Sequence, residues 1–298
     1  MLNRLDELTE RARSGRIRRL VVAASADEPV LDAVRIASED GIVVPILIGD
    51  VEKTKELCQR IGFNIEGIEL VEASDGYRAS CLAVEMIRNG RADIMMKGHV
   101  STGPLLKAIL DKEQGLRKGG LLSHVALFET PHYHKLIGVT DAAMNVAPTF
   151  EEKVEIVRNG VDAFHKLGIS EPKVAALGAV ETVNPKMEAT THAAMLTMMN
   201  RRGQIKGCLV DGPLALDNAV SKEAATHKGI HSEVAGDADI LLAPDINSGN
   251  ILYKSLGFLG GAVSAAVLMG AQVPVVLTSR SDSNRSKLLS ISLAAAME

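Results

Sequence analysis

Tryptophan is absent from the 298 residues, and aromatic side chains make up only 3% of them. A platform that stacks bases or sugar rings needs more ring faces than that. Basic charge is not in excess either: 33 Lys and Arg stand against 37 Asp and Glu, a formal net charge of -4. No surplus exists to neutralise a phosphate backbone, which argues against nucleic acid as a partner. The three cysteines, Cys58, Cys81 and Cys208, are odd in number and far apart. That argues against a disulfide framework and against a thiolate zinc site, and they read as reduced thiols. The longest apolar stretches, such as Gly260 to Gly270, fall short of the roughly 18–20 residues a bilayer span needs. The first segment, MLNRLDELTERARSGRIRRL, is charged throughout and has no apolar signal core. The expectation is a soluble, cytoplasmic protein with no membrane partner.

Several chemical signatures are missing too. The eight histidines form no HExxH pair. His132 and His134 lie in an expected turn without a third ligand at recognisable spacing, so no metal site is expected. There is no GxSxG elbow, no P-loop spacing, and no GxGxxG fingerprint after a strand.

What is present is an apolar fraction of 46%, carried by Ala, Val, Ile, Leu and Met, with 26 glycines. That mix suits helices layered on a buried parallel sheet. Short apolar runs alternate with amphipathic segments from Leu5 to Met96, a βαβαβα rhythm that predicts a doubly wound parallel sheet. The middle differs: Leu121–Phe128 and Lys135–Thr140, divided by Thr130-Pro131-His132, suggest an antiparallel hairpin. Helices are expected at 149–167 and 186–203, strands at 173–177, 207–211, 239–243 and 273–278, and a last helix to Ala296. The Ala/Gly/Val-rich stretch Gly260–Met269 reads as a closely packing helix. No repeat, low-complexity tract or long linker is visible, so a cleft between closely joined domains is the expected ligand site.

Ligands of parallel sheets gather at the strands' carboxyl ends, and four such junctions carry polar residues. Met96 to Pro104 (MKGHVSTGP) offers two hydroxyls, glycines and a helix start. It reads as an anion site with Lys97 or Lys107 as cation, or as a plain helix cap by Ser101 or Thr102. In Pro244 to Lys254 (PDINSGNILYK), Asp245 and Asn247 can face a ligand and Gly249 permits close backbone approach. The same residues are ordinary turn formers. Thr278 to Ser286 (TSRSDSNRS) sets Arg280 among hydroxyls just beyond a strand. That is a good oxyanion or phosphate clamp, or else a Ser-capped helix start in which Asp282 caps or pairs with Arg285. Val210 to Asp217 (VDGPLALD) carries two carboxylates that are as readily turn residues as ligands.

Taken together these junctions resemble the phosphate acetyltransferase/phosphate butyryltransferase family. PDINSGNILYKSLGFLGGA (Pro244–Ala262) is similar to that family's PD(L/I)N-x-GN-x-x-YK block. VSTGPLLKAIL (Val100–Leu110), the D-x-x-x-N-x-x-P segment Asp141–Pro148, VDGPLALDNA (Val210–Ala219) and VLTSR (Val276–Arg280) follow the family's order. They cover roughly residues 90–298, and the compact length looks closer to the butyryl branch. The resemblance implies an α/β, two-domain fold like that of isocitrate and isopropylmalate dehydrogenases, with an interdomain cleft. Residues 1–119 and 274–298 would form one domain and 120–273 the inserted one. It implies the reversible reaction of acyl-CoA and phosphate to acyl phosphate and CoA, with a butyryl or acetyl group. The transfer would be direct, without metal, cofactor or covalent acyl-enzyme. It further implies a homodimer or larger homo-oligomer.

Residue by residue, the resemblance sets Ser279 and Arg280 at the acyl phosphate and Ser101 and Thr102 on the phosphate side. Lys97, Gly103, Asp245, Asn247, Gly249, Asn250 and Lys254 fall in the substrate-binding blocks. Lys107 stands where the acetyl branch has Arg, which keeps charge but not the two-pronged contact. Seven residues after its Ser the acetyl branch has an Asp, proposed as the base; that position is Ser286, and Asp282 is the nearby substitute. Two other readings remain open. One is a metal- and NAD-dependent hydroxyacid dehydrogenase using Asp211, Asp217 and Asp245; the other is a non-catalytic CoA- or metabolite-binding protein.

Overall fold

The computed structural model describes residues 3–118, 120–279 and 282–297. The chain divides into two compact units, Asp6–Gly120 with Ala265–Glu298, and Met1–Leu5 with Leu121–Ser264. Arg280 lies outside the described residues.

The first unit opens with α1 (Asp6–Ser14), β1 (Arg18–Ala23), α2 (Glu28–Glu39), β2 (Val43–Gly49), α3 (Val51–Arg60), β3 (Glu69–Glu72), α4 (Gly76–Arg88), β4 (Ile94–Lys97) and α5 (Thr102–Ile109). Asp27, Asp50 and Asp75 cap α2, α3 and α4, each carboxylate accepting the amide three residues on. Such a cap meets one of the unpaired N–H groups at a helix start. β1 pairs in parallel with β2 on one side and β4 on the other, and β2 with β3. The winding therefore reverses beside β1, which opens a crevice at the carboxyl ends of β1 and β4. The buried faces of β1 and β4, Leu20 to Ala23 and Ile94 to Met96, are almost fully excluded from solvent.

The second unit is built from β5 (Ser123–Glu129), β6 (Ile137–Thr140), α6 (Phe150–Lys166), β7 (Lys173–Leu177), α7 (Glu188–Arg201), β8 (Leu209–Leu214), α8 (Leu216–Val220), α9 (Lys222–His227), β9 (Ile240–Leu242) and α10 (Ile246–Lys254). β5 and β6 form the expected antiparallel pair. From β6 onward the order is β6-β9-β7-β8, all parallel. Thr149 and Glu152 close a reciprocal capping box on α6. α10 continues into a π-helical turn, Ser255–Leu259.

The chain then returns to the first unit through β10 (Val263–Met269), β11 (Val275–Val276) and α11 (Asn284–Ala296). β11 runs parallel to β4 and antiparallel to β10, so the unit reads β3-β2-β1-β4-β11-β10. α11 packs against α1 and α2.

Two sequence expectations change. Gly260–Met269 is not a helix: the left-handed Gly261 (φ 63°) ends the π-turn, and Val263–Met269 is a strand buried along most of its length. A short apolar run buried on both faces has no period that separates the two. The polar stretch after Asp245 is not a turn before a helix. Asp245 is the cap, and Asn247, Ser248, Gly249 and Asn250 already lie in α10.

Candidate active site

A cavity of about 400 Å³ lies in the first unit at the carboxyl ends of β1, β4 and β11. Lys97, Gly98 and His99 come from the end of β4, Thr278 and Ser279 from beyond β11, and Lys287 from α11. Asp27 and Glu28 at the start of α2, and Lys53 and Arg60 on α3, complete the wall. Cationic side chains outnumber carboxylates here, and the cavity sits where the strand order reverses, so an anionic ligand fits it.

Backbone geometry fixes the β4 corner. Gly98 N–H donates to the Ala23 carbonyl at 2.9 Å and His99 N–H to the Ala24 carbonyl at 2.6 Å. A Cβ on Gly98 would lie 2.1 Å from the Ala24 oxygen, so glycine is required for this approach. Ala24 itself holds φ 60°, a left-handed conformation that is costly for a residue with a Cβ. Lys97 Nζ donates to the carbonyls of Gly98 at 3.2 Å and Val100 at 3.0 Å, so this lysine holds the loop that follows it. His99 Nδ1 stands 3.8 Å from Asp27 Oδ2. Arg60 pairs with Glu28.

The β11 corner is closed by Asp282. Its Oδ2 accepts the Ser279 N–H at 2.6 Å, and its own N–H donates to the Ser279 carbonyl at 3.2 Å. Lys287 Nζ donates to the Asp282 carbonyl. Ser283, not Asp282, caps α11, with Oγ accepting the Ser286 N–H. Arg285 turns to Asp6 at 3.0 Å rather than to Asp282.

Of the residues singled out from sequence, the structure brings Lys97 and Ser279 to one cavity. Ser101, Thr102 and Gly103 are exposed at the start of α5, and the Ser101 hydroxyl makes no capping bond. Lys107 Nζ lies 4.9 Å from the centre of the Tyr77 ring, a cation–π contact on the α4 side of α5. Asp245, Asn247, Gly249, Asn250 and Lys254 belong to the second unit, on α10. Asp245 Oδ1 accepts the Ser248 N–H at 2.9 Å, and Asn250 Nδ2 donates to the Ala142 carbonyl at 3.0 Å. A Cβ on Gly249 would lie 2.2 Å from the Asp141 carbonyl oxygen, so the α10 start presses on the end of β6. Asp141 in turn holds its own loop through the amides of Ala143 and Met144.

Residues that sequence reasoning did not single out are Lys53, Arg60, His99 and Lys287 in the cavity. The second unit adds Lys153 of α6, whose buried Nζ lies 2.9 Å from His192 Nδ1. Burial lowers the Lys153 pKa, opposed by the charges of Glu188 and Asp245. Burial likewise pushes the Cys58 and Cys208 thiols up to about 11, so both remain protonated near neutrality. Among the described residues, no cluster of three or more His, Cys, Asp and Glu side chains could hold a metal ion. No helix there is long and apolar enough to cross a membrane.

The phosphate acetyl/butaryl transferase family model matches residues 4–80 and 75–295. The phosphate butyryltransferase of Clostridium acetobutylicum is 47% identical over 99% of this chain and 98% of its own. The phosphate acetyltransferase of Thermotoga maritima is 45% identical over 98% of each. A crystal structure of a branched-chain phosphotransacylase from Enterococcus faecalis superposes with a TM-score of 0.83 at 37% identity, covering 94% of this chain and 98% of that one. The fold alone is shared with a 4-hydroxythreonine-4-phosphate dehydrogenase from Burkholderia phymatum, at a TM-score of 0.58 and 14% identity over 95% of this chain and 98% of that one. With a family model spanning nearly its whole length and full-length relatives above 40% identity, the chain belongs to the phosphate acetyl/butaryl transferase family.

Proposed function

We propose that the protein exchanges a short acyl group between CoA and inorganic phosphate, with butyryl preferred over acetyl. The observation that carries this reading is the cation-rich cavity at the strand reversal, holding Ser279 and Lys97 in a chain of this family. In the forward direction a phosphate oxygen attacks the thioester carbonyl carbon. The C–O bond forms, the C–S bond breaks, and the thiolate leaves to become CoA-SH on protonation. In reverse the CoA thiol loses its proton and attacks the acyl phosphate, and phosphate departs with the C–O electron pair.

Ser279 and Arg280 act at the phosphoryl group in this reading, where a guanidinium matches two oxygens at once and stabilises developing charge. Lys97 fixes the cavity loop, while Ser101, Thr102, Gly103 and Lys107 serve the phosphate side. Asp245, Asn247, Gly249, Asn250 and Lys254 bind the CoA substrate. Asp282 is the proposed base for the thiol; the bond its carboxylate accepts from the Ser279 amide supports that assignment by keeping it beside Ser279. No metal or cofactor enters the step. A cytoplasmic location is part of the same proposal. Ile251, Phe258 and Leu259 are exposed along α10 and its π-turn, which supports a homo-oligomer; a monomeric mass by light scattering at micromolar concentration overturns that part.

The test is CoA release from a panel of acyl-CoAs, followed as free thiol. Release from butyryl-CoA that requires phosphate, without added divalent metal, is the expected result. Thiol release that ignores phosphate, or activity lost on chelation and restored by a divalent cation, counts against the reading.

A further inference from the structure

α11 carries two charged side chains, and they point to opposite fates. Arg285 is exposed and paired with Asp6. Lys287 is 4% exposed, in a helix whose following residues, Leu289 to Ala296, are all buried. An ammonium taken out of water is stable only with counter-charge or several hydrogen-bond acceptors. Lys287 Nζ has three N–H donors, and one of them meets the Asp282 carbonyl. Among the described residues no carboxylate pairs with it. The side chain instead lines the cavity that Lys97, Thr278 and Ser279 share.

We propose that Lys287 is a phosphate-binding residue: its remaining donors face the oxygens of inorganic phosphate, or of the phosphoryl group of the acyl phosphate. The geometry asks for an anion, and its identity as phosphate rests on the acyltransferase reading above. The placement also ties the anion to the machinery. Lys287 holds the carbonyl of Asp282, and the Asp282 carboxylate holds the Ser279 amide. Charge arriving at Nζ therefore meets a preset turn. The same bond explains why the ammonium is tolerated between turnovers: one strong acceptor keeps it partly satisfied while the other donors wait for ligand or water.

The experiment compares wild type with Lys287→Met and Lys287→Arg. Binding of inorganic phosphate alone is measured by calorimetry, and KM values for phosphate and butyryl-CoA by thiol release. Lys287→Met is expected to weaken phosphate binding and raise the phosphate KM by about 10-fold or more, as loss of a charge-assisted contact does. The butyryl-CoA KM stays within about twofold. Lys287→Arg, which keeps charge, recovers part of the loss. A folded Lys287→Met with wild-type phosphate affinity overturns the proposal and leaves Lys287 as a support for the Asp282 carbonyl only. Should Lys287→Met fail to fold, a crystal structure of the wild-type protein with inorganic phosphate decides. Nζ about 3 Å from a phosphate oxygen supports the proposal, and phosphate seated away from Nζ overturns it. The two readings fail separately. Phosphate held by Lys287 without acyl transfer removes the acyltransferase and keeps the anion site, whereas phosphate-dependent thiol release with an unchanged KM in Lys287→Met does the reverse.

Discussion

Gly98 leaves room for one backbone and nothing else: a methyl group in place of its hydrogen would meet the Ala24 carbonyl oxygen at 2.1 Å. That oxygen is pinned by the His99 amide, and Ala24 is already left-handed. Gly98→Ala must therefore push β4 from β1 at the cavity. The expected cost is about 3 kcal/mol of stability, with kcat/KM reduced at least about 10-fold in the folded fraction. Gly103→Ala is the contrast, because a Cβ there meets nothing within 4 Å and the residue lies inside α5. It should add up to about 1 kcal/mol through helix propensity. Chemical denaturation and steady-state rates on the two variants check both, and a loss of activity in the stabilised Gly103→Ala isolates a substrate role for that position.

Arg280 follows Ser279 in the sequence but lies outside the described residues, so its role as clamp rests on sequence alone. Arg280→Ala is expected to raise the phosphate KM and lower kcat. The combined loss is about 2–4 kcal/mol, roughly 30- to 1,000-fold in kcat/KM. Arg280→Lys should return only part, since a point charge does not reproduce a bidentate fork. Wild-type kinetics in a folded Arg280→Ala remove the residue from the mechanism.

Much of this was legible before any coordinates. The βαβ rhythm of the first hundred residues is strongly periodic, with Asp caps opening α2, α3 and α4, so β1 to β4 alternate with helices as the rhythm predicts. Val263–Met269 did not, because a strand buried on both faces and a buried helix share the same unbroken apolar run. The short α8 and α9 went unseen, being too brief for a period. At the site, Lys97 and Ser279 stand at strand ends, where residue type and position speak together. Lys287 was hidden because a lysine on a helix reads as solvated until its face is known. The same holds for Lys153, which only packing shows to be buried against His192.

Kinetics can separate the base role proposed for Asp282 from its part in closing the turn with Ser279. Its carboxylate accepts the Ser279 amide, and a base role requires it ionised during thiol attack. Asp282→Asn keeps an acceptor oxygen but removes the charge. The expectation for the base is a drop in kcat of about 100-fold or more with the phosphate KM nearly unchanged. A variant that keeps its kcat and loses only about 1 kcal/mol of stability reduces Asp282 to a turn-closing residue.

The acid limit of the first unit should be set in part by Asp93. Arg19 grips this carboxylate with Nη2 at 2.7 Å and Nε at 2.9 Å, and the Arg19 amide adds a third bond at 2.9 Å. The side-chain hydrogen bond from Arg19 is the largest cause holding the Asp93 pKa down to about 2, against the opposing pull of burial. A carboxylate depressed in the folded state stabilises it wherever the unfolded chain's Asp is already ionised. The contribution is thus complete above about pH 5 and disappears as the pH falls toward about 2. Its size is about 2 kcal/mol from the shift itself, and less where solvent screens the partly exposed guanidinium. Asp93→Asn should therefore be less stable than wild type near neutrality by up to that amount. The gap should close steadily between about pH 5 and pH 2, because protonation then removes in wild type what the substitution has already removed. Urea unfolding of both proteins across that range measures it. A gap that stays constant with pH would mean that Asp93 stabilises the β1 and β4 starts through geometry rather than charge.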